Sequence, residues 1–339
     1  DLSGSIWWAM MALIALPFKL IGSEQGIIIS VRILLLLLPT LGTFYLSYKI
    51  LRDFVKNRFS MALLYIILAF SFYTAVNITS VFFTFPEPMY GFFLMLSFYF
   101  LYKADNQFNR YFYYSIMAYG VSVSIKMVGL LYGVVYVVYF IKNWRKLNVP
   151  LVIKTASIWV ITLLSLNLIL LHPEIWRFFS SNLKDTAFVG RHGFTQYMWF
   201  KDFPPSISFF TKDYINIYAF ILILVGFIAG SAYVYLKKGI NREKYVYFLL
   251  AFAVVITYFL YSTFYMFMPH HYGLVLIYFL PFVVFSTMNL SSSRPNIAAN
   301  IVLTIIFPVL FIGGISYLQK DNTLRAFDSL TLQSVGCNK

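Results

Sequence analysis

Residues 27–51 read IIISVRILLLLLPTLGTFYLSYKIL, an apolar run that is long enough to cross a lipid bilayer as a helix. The charged residues within it are Arg32 and Lys49, one toward each end of the run. About 20 apolar residues at 1.5 Å per residue cover the hydrocarbon core, so this stretch predicts a membrane-spanning helix.

The rest of the chain repeats this pattern, and its composition does not suit a soluble protein. Of its 339 residues, 60% are hydrophobic and 11% are charged, and the mean hydropathy is +0.77. Soluble domains carry about 25% charged residues. The apolar runs are continuous and do not alternate, which favours helices over a membrane β-barrel. Further segments lie at roughly 60–83, 88–102, 111–125, 127–141, 150–171, 214–236, 245–268, 271–288 and 297–317, with an interrupted stretch at 5–21.

We therefore predict an all-α integral membrane protein, a polytopic helical bundle with about ten or eleven apolar segments. One transmembrane domain is expected over residues 1–317, with a long extracytoplasmic loop at 172–213. Residues 318–339 are expected to form an extracytoplasmic tail. The single cysteine, Cys337, excludes an internal disulfide.

The formal net charge of +14 is explained by the loops and does not require a nucleic-acid partner. If residues 27–51 run from the outside inward, the basic residues concentrate in the inner connections, as in most membrane proteins. These connections are 52–58, 103–110, 142–146, 237–244 and 291–296. All four histidines and several acidic residues then fall on the outer side, so a chemical site is expected to face the extracytoplasmic side.

Glu87 lies between two prolines at an outer boundary, in Phe85-Pro86-Glu87-Pro88. The prolines stop the preceding helix and hold the carboxylate at the start of the next one. It is either an acid that contacts a metal or a sugar, or an ordinary acidic residue in a first helical turn.

Two cations lie within apolar segments. Lys126 interrupts an otherwise uncharged run from Tyr111 to Ile141, where a lysine is costly and is a candidate to bind an anion such as a lipid phosphate. The alternative is a lysine whose ammonium reaches the interface at a helix end. Arg32 either binds a phosphate or pairs with Glu24.

The remaining candidates lie in outer connections. His270 and His271 form a hinge after Pro269; as neighbours they chelate poorly, and they suit hydrogen bonding to a phosphate or a sugar, or a plain polar turn. The loop 172–213 is too long for a simple connection and combines aromatic and polar residues, as sugar sites do, although it could equally be a structured cap. Its candidate sugar or acceptor residues are His172, Glu174, His192, Tyr197 and Trp199, and Arg191 is a further phosphate candidate.

The order of these motifs resembles the GT-C membrane glycosyltransferases, the superfamily of protein O-mannosyltransferases and aminoarabinose lipid A transferases. The elements are Phe18 to Glu24 followed by Val31-Arg32, then Phe85 to Phe93, then Ser124-Ile125-Lys126. The segments His271 to Leu274 and Tyr278 to Phe282 resemble a C-terminal aromatic element. The resemblance is best over residues 5–145.

The resemblance implies a bundle of about a dozen helices with a cavity at the extracytoplasmic membrane boundary. It implies inverting transfer of a sugar from an undecaprenyl- or dolichyl-phosphate donor to a protein, lipid or glycan. Arg32, Lys126, Arg191, His270 and His271 would then bind the donor phosphate, and Glu87 would act as a supporting acid. A divalent metal ion is left open, as is membership of a membrane complex. We expect the membrane to be a prokaryotic plasma membrane rather than the endoplasmic reticulum.

One departure keeps two alternatives open. The superfamily places its principal acidic residue in the first outer loop after an N-terminal helix, and this sequence begins downstream of that position. The alternatives to an active transferase are a non-catalytic membrane subunit of the same fold and a transporter. An occluded outer cavity would indicate the first, and internal repeats with helices broken at the bilayer midplane would indicate the second.

Overall fold

The computed structural model describes residues 5–55, 58–72, 86–167, 173–174, 177, 217–236, 242–261 and 269–289. Their regular secondary structure is helical, with turns and short connections between the helices and no strand among these residues. The predicted segment at 297–317 and the predicted tail at 318–339 lie outside the described residues.

The helices follow the predicted apolar segments closely. The α-helices are α1 Ser5–Leu20, α2 Glu24–Leu35, α3 Gly42–Arg52, α4 Arg58–Phe72, α5 Glu87–Ala104, α6 Arg110–Ile125, α7 Gly133–Lys142, α8 Val149–Leu166, α9 Ile217–Leu236, α10 Arg242–Leu260 and α11 Pro269–Asn289. A π-helix, Leu36–Leu41, joins α2 to α3, and short 3-10 helices at Met127–Tyr132 and Trp144–Lys146 flank α7. The stretch at 5–21 forms one continuous helix in spite of Pro17.

Two of these helices are long and apolar enough to cross a membrane, judged by length and composition among the described residues. One is the continuous 29-residue span Glu24–Arg52, which comprises α2, the π-helix and α3 and has a mean hydropathy of 2.2. The other is α8, with a mean hydropathy of 1.9. Much of α8 faces outward, with 6% of its span buried. An exposed apolar helix of this kind is stable against lipid, and several shorter apolar helices accompany it.

The π-helix follows from the proline in the first long segment. Pro39 has no N–H, so it cannot pair with the Leu35 carbonyl in the α-helical pattern. The hydroxyl of Thr40 donates to that carbonyl at 2.8 Å, and the hydroxyl of Thr43 donates to the Pro39 carbonyl at 2.6 Å. Side chains thus replace the missing backbone bond, and the helix continues to Arg52.

Helix α11 lies at the centre of the described bundle. Every side chain from Leu274 to Ser286 is buried, and the helix packs against α3, α4, α5, α9 and α10. A helix that is apolar on all sides is expected to be enclosed on all sides. Helices α5 and α6 form an antiparallel pair, with α8 packed on α6.

A buried hydroxyl cluster joins α5, α6 and α7. The Tyr136 hydroxyl lies 2.8 Å from Ser97 Oγ and 2.5 Å from Ser115 Oγ, and the two serine oxygens are 3.2 Å apart. Small residues with hydroxyl groups allow close helix contact and hydrogen bonds between helices in a bilayer. The cluster therefore fixes the register of the three helices that lead to the candidate site.

Contacts at the C-terminal end of α5 bring several predicted inner connections together. The Tyr102 hydroxyl donates to Asp53 at 2.8 Å, and the Tyr247 hydroxyl donates to the Leu101 carbonyl at 3.3 Å. Glu87 begins α5, about 27 Å away for 18 residues at 1.5 Å each. The described bundle thus has one basic end and one end that carries Glu87. Which end faces the cytoplasm stays a prediction from the basic loops.

Candidate functional site

Glu87 is the first residue of α5 and is completely buried. Pro86 forms the N-cap, and Pro88 occupies the first turn, where a missing N–H costs no helical hydrogen bond. The carboxylate therefore lies at the positive end of the helix dipole, as the Pro-Glu-Pro pattern predicts.

Lys126 lies where α6 ends and the 3-10 helix Met127–Tyr132 begins, and it is 5% exposed. Its backbone is extended, with φ −150° and ψ 123°. Its N–H donates to the Ser122 carbonyl, and its own carbonyl accepts from Gly129 at 2.9 Å. The break in the helix is thus hydrogen-bonded on both sides and turns the lysine into the bundle.

The Lys126 ammonium donates to Glu87 Oε1 in a buried ion pair. The two residues are 39 positions apart, but α5 and α6 are antiparallel. The start of α5 and the end of α6 therefore lie side by side. Two buried ions of opposite charge stabilise each other, whereas removing one leaves a buried charge that costs about 3–5 kcal/mol.

Close packing holds the elements around this pair. The Ser122 hydroxyl donates to the Tyr90 carbonyl at 2.9 Å and ties α6 to α5 one turn from the pair. The Tyr258 hydroxyl donates to the Val128 carbonyl at 3.2 Å, which anchors the 3-10 helix to α10. A Cβ on Gly91 would lie 2.6 Å from the Tyr278 ring, so only glycine allows α11 to approach α5 here. The pair thus lies where α5 and α6 meet, and α10 and α11 pack against the elements beside it.

A family profile described as dolichyl-phosphate-mannose-protein mannosyltransferase matches residues 6–179, about half of the chain and the part that contains both Glu87 and Lys126. The chain belongs to this mannosyltransferase family. No curated protein and no solved structure matches it.

Membership confirms the resemblance drawn from the sequence motifs. The dolichyl-phosphate-mannose-protein mannosyltransferases are integral membrane glycosyltransferases that use a dolichyl-phosphate-linked sugar, in agreement with the apolar helices. The profile covers α1 to α8 and therefore includes the Glu87–Lys126 pair, the π-helix and the hydroxyl cluster.

The structure describes only some of the other candidates of this mannosyltransferase-family chain. Arg32 lies in the last turn of α2 and is half-buried, with its Nε atom enclosed. Glu174 forms an exposed ion pair with Arg177 at 2.7 Å. His270 and His271 lie in the first turn of α11, and their side chains are outside the description. The candidates His172, Arg191, His192, Tyr197 and Trp199 lie outside the described residues.

The sequence motifs indicated Glu87 and Lys126 separately and did not predict their pairing. A signal for it was present, because each is an isolated ionisable residue in an apolar context and each lies at an end of one of two consecutive helices. A helical hairpin brings those ends to the same side. Tyr278, which packs nearby, belongs to the aromatic element that the sequence motifs include, whereas Tyr258 carried no such signal.

The described part of the chain offers no group of three His, Cys, Asp or Glu residues that could hold a metal ion. Glu87 already accepts a hydrogen bond from Lys126. The divalent metal that was left open therefore has no supporting geometry among these residues.

Proposed function

We propose that this protein transfers a sugar from a polyprenyl- or dolichyl-phosphate donor to an acceptor on the extracytoplasmic side of a membrane. The observation that supports this most is the buried Glu87–Lys126 pair, a fixed ammonium at a helix break within the region that matches the mannosyltransferase family. A buried lysine in a membrane bundle commonly marks an anion or substrate pathway.

In such a transfer, the acceptor hydroxyl attacks the anomeric carbon and the bond from that carbon to the phosphate oxygen breaks. Negative charge then develops on the departing lipid phosphate and needs a nearby cation. We assign this role to the Lys126 ammonium, with Arg32 as a second candidate on α2.

Glu87 takes the supporting role of holding the ammonium in position before the donor arrives. Glu87 Oε1 already accepts from the Lys126 ammonium, so we assign the acceptor's proton to another base. The remaining candidates, Arg191, His270 and His271 for phosphate and His172, Glu174, His192, Tyr197 and Trp199 for sugar or acceptor, stay proposals from the sequence.

The sidedness and the surroundings are also proposals. The basic connections gather at the end of α5 that is opposite Glu87, which supports an extracytoplasmic position for the pair if the basic end is cytoplasmic. The protein would encounter its lipid donor within the membrane. The family description names a protein as acceptor, and we propose a protein first, with a lipid or a glycan as alternatives.

The test is transfer of radiolabelled mannose from dolichyl-phosphate-mannose to a serine- and threonine-containing peptide by membranes that contain the whole protein. We expect transfer by the wild type, and a loss of about a hundredfold in Glu87→Met/Lys126→Met, because removal of one preorganised charge-stabilising group costs about that much. The matched control is Asp53→Asn, which removes an exposed carboxylate at the opposite end of the bundle and should keep full activity.

The occlusion of the pair favours a second candidate, a non-catalytic subunit of this fold. Glu87 is fully buried and Lys126 almost so, which suits a purely structural ion pair. A double variant that folds and retains full transfer would show that the pair is structural. A wild-type protein that transfers no sugar would favour the subunit over the enzyme.

A further inference from the structure

The loop after α5 and the corner between α7 and α8 meet at Asn106. The Lys142 ammonium donates to Asn106 Oδ1 at 3.0 Å, and the Lys146 ammonium donates to the Asn106 carbonyl at 3.0 Å. Asn106 is 9% exposed and has a left-handed backbone with φ 59°, which asparagine tolerates better than most residues. Asn106, in the loop after α5, therefore accepts from two cations of the corner between α7 and α8.

This arrangement brings like charges together. Two ammonium groups that bond to oxygens of the same residue would both attract an anion that reaches this corner. An anion placed between them would be stabilised by both.

The sequence around the corner strengthens the positive charge. The two loops carry five cations and one carboxylate, Asp105, and no Asp or Glu occurs from Asn106 to Pro173. The five cations are Lys103, Arg110, Lys142, Arg145 and Lys146. Asp53 also lies at this end, where it accepts from Tyr102, but the two loops keep an excess of cations that favours a negatively charged ligand.

Apolar side chains project beside these cations. Trp144 is 65% exposed, Ile141 is 66% exposed and Val149 is 72% exposed. The Arg145 guanidinium lies 5.6 Å from the centre of the Trp144 ring. A tryptophan that is flanked by cations at helix ends is typical of the boundary between headgroups and acyl chains.

We propose that this surface, the Asn106 corner, defined by Asn106, Lys142, Trp144, Arg145 and Lys146, binds the headgroup of an anionic phospholipid. Lys142 and Lys146 contact the phosphate, Arg145 adds charge, and Trp144 lies against the glycerol and the first acyl carbons. The exposed apolar residues argue for a lipid over a soluble phosphate, which would leave them in water. The site is about a helix length from Glu87 and does not depend on the proposed transfer.

The test measures lipid binding to the purified protein by native mass spectrometry, with phosphatidylglycerol compared with phosphatidylcholine. We expect phosphatidylglycerol to bind preferentially. Lys142→Gln/Lys146→Gln should weaken it roughly 20-fold, because each lysine beside an anionic lipid contributes about fivefold. The matched control is Lys49→Gln/Arg52→Gln, which removes two cations from the end of α3, where they lie over tyrosine rings.

Asn106→Gly separates the position of the lysines from their charge. Glycine accepts the left-handed backbone and keeps the carbonyl that binds Lys146, while the side-chain acceptor for Lys142 is lost. We expect an intermediate loss of affinity with an unchanged elution volume, which shows that the protein is folded. The proposal would be overturned if both double variants lost the same affinity or if the two lipids bound equally. It would also be overturned if an equal concentration of glycerol phosphate displaced the lipid.

Discussion

Lys126 is 5% exposed and Glu87 is fully buried, so at the residue scale each charge depends on the other for its stability. The desolvation cost of two ions is offset by their attraction, and the net effect of the pair on stability is small. Such a pair is consequently weak evidence of a stabilising role. Variants that separate folding from activity therefore decide between a structural and a functional role.

Lys126→Met alone should destabilise the protein by about 3–5 kcal/mol, because Glu87 is left buried without its ammonium. Glu87→Met/Lys126→Met should recover most of this loss, since two apolar side chains of similar length replace the ions. The measurement is thermal unfolding in detergent, followed by the fraction that elutes as a single species. A single variant as stable as the wild type would mean that water reaches the carboxylate.

At the scale of elements, the bundle depends on glycines where helices cross. A Cβ on Gly42 would lie 2.7 Å from the Phe92 ring, and a Cβ on Gly91 would lie 2.6 Å from the Tyr278 ring. Both contacts lie along α5, one with α3 and one with α11. Small residues allow such close approach in membrane bundles, where apolar burial provides little force between helices.

Gly42→Ala should therefore destabilise the contact of α3 with α5 by about 1–3 kcal/mol, the usual cost of overpacking. Phe92→Leu shortens the ring that the new methyl group meets, so Gly42→Ala/Phe92→Leu should be closer to the wild type than Gly42→Ala is. Thermal unfolding of the three variants measures this. If the second substitution adds to the damage, the contact with Phe92 is not its source.

At the scale of the whole molecule, the described bundle has two chemically different ends. Asp53, Asn106 and Lys142 lie at one, and Glu87 and Lys126 lie at the other. The sequence predicts that the first end is cytoplasmic, from the positive charge of its loops.

Two exposed glutamines test this orientation as a matched pair. In a Cys337→Ser background, Gln25→Cys at the start of α2 should react with a membrane-impermeant maleimide in intact cells. Gln107→Cys, in the loop after α5, should react only after the membrane is opened. Labelling of Gln107→Cys in intact cells would reverse the predicted orientation and move the Glu87–Lys126 pair to the cytoplasmic side.

The amino-acid sequence by itself determined the class of the protein and most helix positions. Continuous apolar runs decide both, because a chain in lipid must satisfy its backbone within each helix. The breaks at Pro86 and Lys126 were also readable, since proline and an isolated charge interrupt an apolar pattern locally. The sequence motifs further led to the correct superfamily.

The tertiary structure alone decided which residues meet. The Glu87–Lys126 pair, the Ser97–Ser115–Tyr136 cluster and the two lysines on Asn106 all join residues far apart in sequence. Periodicity and propensity are local properties, whereas these contacts depend on which helix faces are apposed and on their register. Chemistry requires charges within a few ångströms of one another, so the candidate site emerged only when the helices were packed.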